Sequence, residues 1–166
     1  MSDMPLGRYA DAPSGEPREV RLLRVPVRLL AQGRERHDGL MREFALLAMA
    51  PERQHSAPAR LVALTETLGV RYAAARARPD ADVDAALEAG EDTVDLTYSA
   101  TPDVVAAADL LDTLMAEADE FCQSEDLLTL ARGDLQKRFS HWYLDEFRRQ
   151  LRGEPPKPWD GPLDPE

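Results

Sequence analysis

The chain has little that could staple it, anchor it in a membrane or run a familiar reaction. Its 166 residues include one cysteine, Cys122, which excludes an intramolecular disulfide and fits a reducing compartment. No apolar run approaches the roughly 20 residues that a membrane-spanning helix needs. The first 17 residues lack a basic start followed by an apolar core, so no secretory leader is expected there. A cytoplasmic protein with no membrane contact is the expectation. The sequence contains no GxSxG, P-loop, GxGxxG or CxxC pattern. His37, His55 and His141 are scattered, without HExxH spacing. No catalytic, cofactor-binding or metal-ligating residue can therefore be named, and a non-enzymatic role is expected. Lysine occurs only at positions 137 and 157, so nearly all cations are arginine, which together with abundant alanine suggests GC-rich coding.

Positive charge is missing from one long stretch. From Pro79 to Ala131, 53 residues hold no Lys, Arg or His but 15 Asp and Glu, and this concentrates the net charge of -11. Net negative charge argues against nucleic-acid binding, where neutralising phosphates dominates affinity. One reading is that the charge keeps the protein soluble. The other is an acidic face that meets a basic protein surface, with Asp109, Asp112, Glu117 and Glu120 as contact residues. Within the stretch, Asp80, Asp82, Asp84 and Glu91 match the spacing of a calcium loop, but Ala85 stands where glycine must make the turn. A helix with an acidic first turn is the alternative. Glu117, Asp119, Glu120, Cys122, Glu125 and Asp126 read as a solvated face in preference to a metal site.

Periodicity divides the chain. Residues 1–18 are rich in Pro and Gly and read as a flexible lead-in. Residues 19–29 alternate partly and read as a strand limited by Pro26, with Arg21, Arg24 and Arg28 on its outer face. A first helix is expected from about 34 to 50, stopped by Pro51. A second starts at Ser56–Pro58 and ends at Pro79, and a short third closes at Gly90. Residues 93–99 read as the second strand. Thr101-Pro102-Asp103 starts a long helix, and the last helix covers about 134–151. Val20, Leu22, Asp38, Leu40, Met41 and Glu43 recur 74 residues later as Val94, Leu96, Asp112, Leu114, Met115 and Glu117. Chance identity and an internal β-α-α duplication both account for this echo. The expected fold is α+β and mostly helical, with two strands in a small sheet, four main helices and one short one. An all-α bundle is the alternative. One globular domain, 19–152, is flanked by the lead-in and a Pro-rich tail, 153–166.

The tail contains Trp159, whose apolar surface favours docking on the chain's own body, on a second copy in a homodimer, or on a partner. Several fragments carry a resemblance: Leu40 to Leu47, Asp119 to Cys122, Leu127 to Leu130, Trp142 to Phe147, and Pro158-Trp159. Together they resemble helical proteins of high-GC bacteria that accompany anti-sigma-factor kinases and their antagonists, the partner-switching regulators. The resemblance implies a regulatory context and no catalytic motif. The expected function is a regulator or adaptor acting by protein–protein contact, with Trp159 among the contact residues. One alternative is a small-molecule sensor with a pocket lined by Phe139, Trp142 and Tyr143, and another is a small enzyme using His141.

Overall fold

The computed structural model describes residues 15–49, 57–124 and 131–164. Readings that fall on residues 1–14, 50–56, 125–130 or 165–166 lie outside them. Strand β1 (Arg18–Pro26) leads into helix α1 (Val27–Ala48), followed by α2 (Ala57–Arg71) and α3 (Ala73–Ala89). Strand β2 (Thr93–Ala100), α4 (Val104–Ser124) and α5 (Asp134–Leu151) complete the order. The fold is α+β and mostly helical, with a two-stranded antiparallel sheet and five helices among the described residues.

The strands pair with Val20 opposite Tyr98 and Leu22 opposite Leu96, all four side chains facing the core. Strict alternation would next turn Arg24 inward. A bulge prevents this: Leu23 and Arg24 together fill the gap before Val25 pairs with Val94. Arg24 adopts a left-handed φ of 56°, and Val25 rejoins the buried face. The ladder groups freed by the bulge find other partners. The Arg24 N–H donates to Asp95 Oδ1 at 2.8 Å, and the Leu23 carbonyl accepts from the Trp159 N–H at 3.0 Å.

Pro26 ends β1, and α1 starts at Val27, earlier than the expected position near Arg34. The Val27 N–H donates to Asp92 O at 3.0 Å, so the base of β2 satisfies the first helical amide. The apolar run Val27, Leu29, Leu30 suits either element, and this contact decides for helix. Pro79 also behaves differently from expectation. The chain breaks at Tyr72 (φ -108°, ψ 15°), and α3 carries Pro79 inside it, buried. Gly90 closes α3 in the left-handed conformation at φ 69°, where a side chain would be strained. Asp80, Asp82 and Asp84 therefore lie on a helix and form no calcium-type loop.

Two apolar cores result. A sheet core joins Val20, Leu22, Leu29 and Leu96 to Phe139, Phe147 and Trp159. A helical core joins Leu40 and Phe44 of α1 to Leu61 and Leu64 of α2 and Leu114 and Ala118 of α4. The echoed pairs Leu40–Met41 and Leu114–Met115 meet in this second core. The second helices of the two halves diverge: Leu61 on α2 joins the helical core, whereas Leu135 on α5 packs against the sheet core.

The segment after α5 is part of the body. Trp159 is 1% exposed and packs edge-on against Phe139 and Trp142, with ring centroids 5.5 Å away in each case. Its indole N–H donates to Pro162 O at 2.9 Å, and Arg24 Nη1 donates to its carbonyl at 2.9 Å. Gly161 is needed here, because a Cβ at that position would meet the indole at 2.3 Å. Glu146, 1% exposed, ties the segment down. It accepts the Lys157 N–H and Gln150 Nε2, and pairs with Arg149.

Candidate functional site

The acidic stretch is not a bare face. Its bases come from elsewhere in the chain, mostly from the helices and not from β1. Asp80 pairs with Arg34 and Arg76, and Asp103 with Arg71. Asp109 and Asp112 both pair with Arg148, and Asp112 also faces His141 Nδ1 at 3.2 Å. Glu117 lies 3.4 Å from Arg60. Of the four expected contact carboxylates, only Glu120 shows no ion partner among the described residues. Asp119, expected on a solvated face, is buried with a side chain 6% exposed. It is held by Arg132 at 2.8 Å and Arg36 at 3.3 Å. Trp159 docks on the chain's own body, the first of the three expected placements, so its enclosed ring is not offered to a partner.

An open space remains on the other side of α5. A cleft of about 300 Å³ is bounded by Leu68 of α2, Tyr72 at the break between α2 and α3, Arg76 and Asp80 of α3, and Tyr98 of β2. Val104, Ala108 and Leu111 of α4, Tyr143 and Phe147 of α5 and Arg34 of α1 complete it. A second chamber of about 510 Å³ adjoins it and shares Arg34, Arg76, Asp80, Leu111, Tyr143 and Leu144. Arg36, His37, Arg132, Gln136 and Phe139 line this second chamber. Burial holds the His37 imidazole below its usual pKa despite the neighbouring Asp38 carboxylate.

The phenols of Tyr98 and Tyr143 meet at the first chamber in a short hydrogen bond. Burial pushes both pKa values up, Tyr143 well above the usual phenol range. Both therefore stay protonated near neutral pH and can donate but not act as bases. One hydrogen bond uses one of the two phenol protons, and the second has no partner among the described residues. Tyr72 is different. Burial and its bond to Asp103 at 2.7 Å push it up to about 12. In the second chamber the Gln136 Oε1 is buried without a hydrogen-bond partner.

The three aromatics expected to form one pocket are divided. Tyr143 and Phe139 line the chambers, but Trp142 faces the C-terminal segment, donating its indole N–H to Lys157 O at 3.1 Å. Sequence reasoning missed Arg34, Tyr72, Arg76 and Tyr98, because α1, the α2–α3 break, α3 and β2 each supply one of them. His141 is 63% exposed on the outer surface, in a hollow whose lining holds no serine, threonine or cysteine. Among the described residues no cluster of His, Cys, Asp or Glu could hold a metal ion, and no helix is long and apolar enough to cross a membrane. No protein-family model matches the chain, and neither curated proteins nor solved structures yield a match.

Proposed function

We propose that the chain is a non-enzymatic regulatory domain that binds a small molecule in the double cleft between α1, α3, α4 and α5. The observation that carries this reading is the first chamber, a concave space with an apolar wall and a few polar groups at one edge. Such a combination is the ordinary form of a small-ligand site. The His141 hollow offers an imidazole beside a carboxylate but no nucleophile, so hydrolase chemistry has less support. The test uses the neutral dye N-phenyl-1-naphthylamine, whose fluorescence rises in apolar surroundings. The expected result is saturable binding at one site, lost in Leu111→Trp, where the larger ring occupies the cleft. Unsaturable fluorescence, or equal binding by both proteins, would exclude the cleft as a site.

Contact with a basic protein surface, as in partner-switching regulation, is a second reading with a specific observation in its favour. At the corner between α3 and β2, Glu88, Glu91 and Asp92 are exposed and show no ion partner among the described residues, beside the partly exposed Leu87. This corner, and not the face of α4, keeps its negative charge uncompensated. A pull-down from host lysate with the wild type and with Glu88→Lys/Glu91→Lys/Asp92→Lys tests it. A basic protein should be retained at low salt, released at high salt and absent with the variant. Retention that ignores both changes would rule the corner out.

A further inference from the structure

Resting on the small-molecule reading above, we infer that the ligand is a monocarboxylate with an apolar body, its acid group received between Arg34, Arg76 and the Tyr98–Tyr143 pair. Charge favours an anion. The ionised groups lining the first chamber are Arg34, Arg76 and Asp80, two cations against one anion. Asp80 divides its two oxygens, Oδ1 to Arg34 Nη2 at 2.6 Å and Oδ2 towards Arg76 Nη2 at 3.6 Å. Asp84 approaches Arg34 only to 3.9 Å and is largely exposed.

The supply of hydrogen bonds favours one too. A guanidinium has five N–H donors, and Asp80 uses a small part of the ten that two arginines present. Tyr98 is 7% exposed, and its pair with Tyr143 leaves one O–H to spare at the chamber wall. The surplus at this end is therefore in donors, and a ligand supplying acceptors satisfies it. A carboxylate does so twice and gains charge-assisted bonds. A cation would be repelled by the arginines, and a neutral alcohol would leave their charge unanswered. On the remaining wall, Leu68, Val104, Leu111 and Phe147 offer apolar surface and no charge. An aliphatic or aromatic body fits that surface.

Three isosteric probes separate charge from shape: octanoate, 1-octanol and octylamine, titrated into the full chain by calorimetry below their micellar concentrations. Octanoate should bind at least about tenfold more tightly than 1-octanol, and octylamine should not bind. Arg34→Gln should reduce octanoate affinity about tenfold and leave 1-octanol unchanged, and Tyr98→Phe should reduce it several-fold. Arg76→Gln, at a more exposed position, supplies the same comparison if Arg34→Gln melts early. Equal affinity for octanoate and 1-octanol, or tighter octylamine, would overturn the carboxylate inference and leave the cleft reading standing. Failure of all three probes, with no dye binding, would remove the cleft reading itself.

Discussion

Helix α5 has two aromatic flanks with opposite fates. On one, Trp142 packs against the protein's own Trp159, and the polar groups around them are used. The indole N–H, the Lys157 N–H and the Glu146 carboxylate all have partners. On the other flank, Tyr143 meets Tyr98 and Phe147 beside an open chamber, and donors are left over. Both flanks are made of similar residues. The difference shows that aromatic content does not locate a binding site: what matters is whether the chain supplies a filler of the right shape and polarity.

The comparison breaks most sharply at Trp159. Trp159→Ala removes a fully enclosed ring and should destabilise the protein by about 3–5 kcal/mol. Urea unfolding measures this, and a loss below about 1 kcal/mol would mean that the segment adds little to the core. Glu146→Ala should cost somewhat less, about 1–3 kcal/mol, because it leaves the Lys157 amide without its acceptor, while Arg149 keeps Glu154 and the Pro155 carbonyl. The expected signature is early loss of protection at the Trp159 amide in hydrogen exchange. Protection unchanged at that amide would show that the segment is held without the carboxylate.

Smaller effects belong to the cleft flank. Asp103 is partly buried, which would raise its pKa, but hydrogen bonds that include those from Tyr72 and Arg71 outweigh this and hold it below the usual carboxylate range. A depressed folded pKa contributes stability that is present above the unfolded value of about 3.9 and is lost as pH falls through the folded value. Unfolding midpoints should therefore drop below about pH 4, and Asp103→Asn should make that acid slope shallower. An identical slope in the variant would assign the acid sensitivity to other carboxylates. The smallest effect is expected for Tyr98→Phe, within about 1 kcal/mol of wild type, because a phenol pair in a roomy chamber is only one hydrogen bond. A loss of several kcal/mol would mean that the pair is a structural tie and not a spare donor.

Much of the scaffold was legible. Alternation in TVDLTYS marked β2, the Thr101-Pro102-Asp103 start marked α4, and Gly90 marked the end of α3. The spacing of Leu135, Phe139, Tyr143 and Phe147 placed α5 at its observed bounds. The errors share a cause. Pro79 was read as a stop because helix propensity is local, yet the structure buries it inside α3. The arginines that pair with the acidic stretch were not named because they are distant in sequence: Arg36 and Asp119 are 83 positions apart and Arg60 and Glu117 are 57 apart. Of the cleft, only Tyr143 and Phe139 were named in advance, since Arg34, Arg76 and Tyr98 lie on three separate elements and Tyr72 at the break between two helices.

The order of hydrophobic and polar residues, with its prolines and glycines, was enough to determine a mostly helical α+β chain with two strands, because backbone conformation responds to neighbours a few residues away. Only the tertiary structure decided which carboxylates meet arginines, that Trp159 closes one flank of α5, and that the other flank stays open. Those outcomes depend on which distant segments come within hydrogen-bond reach, and that follows from how the two apolar cores pack together.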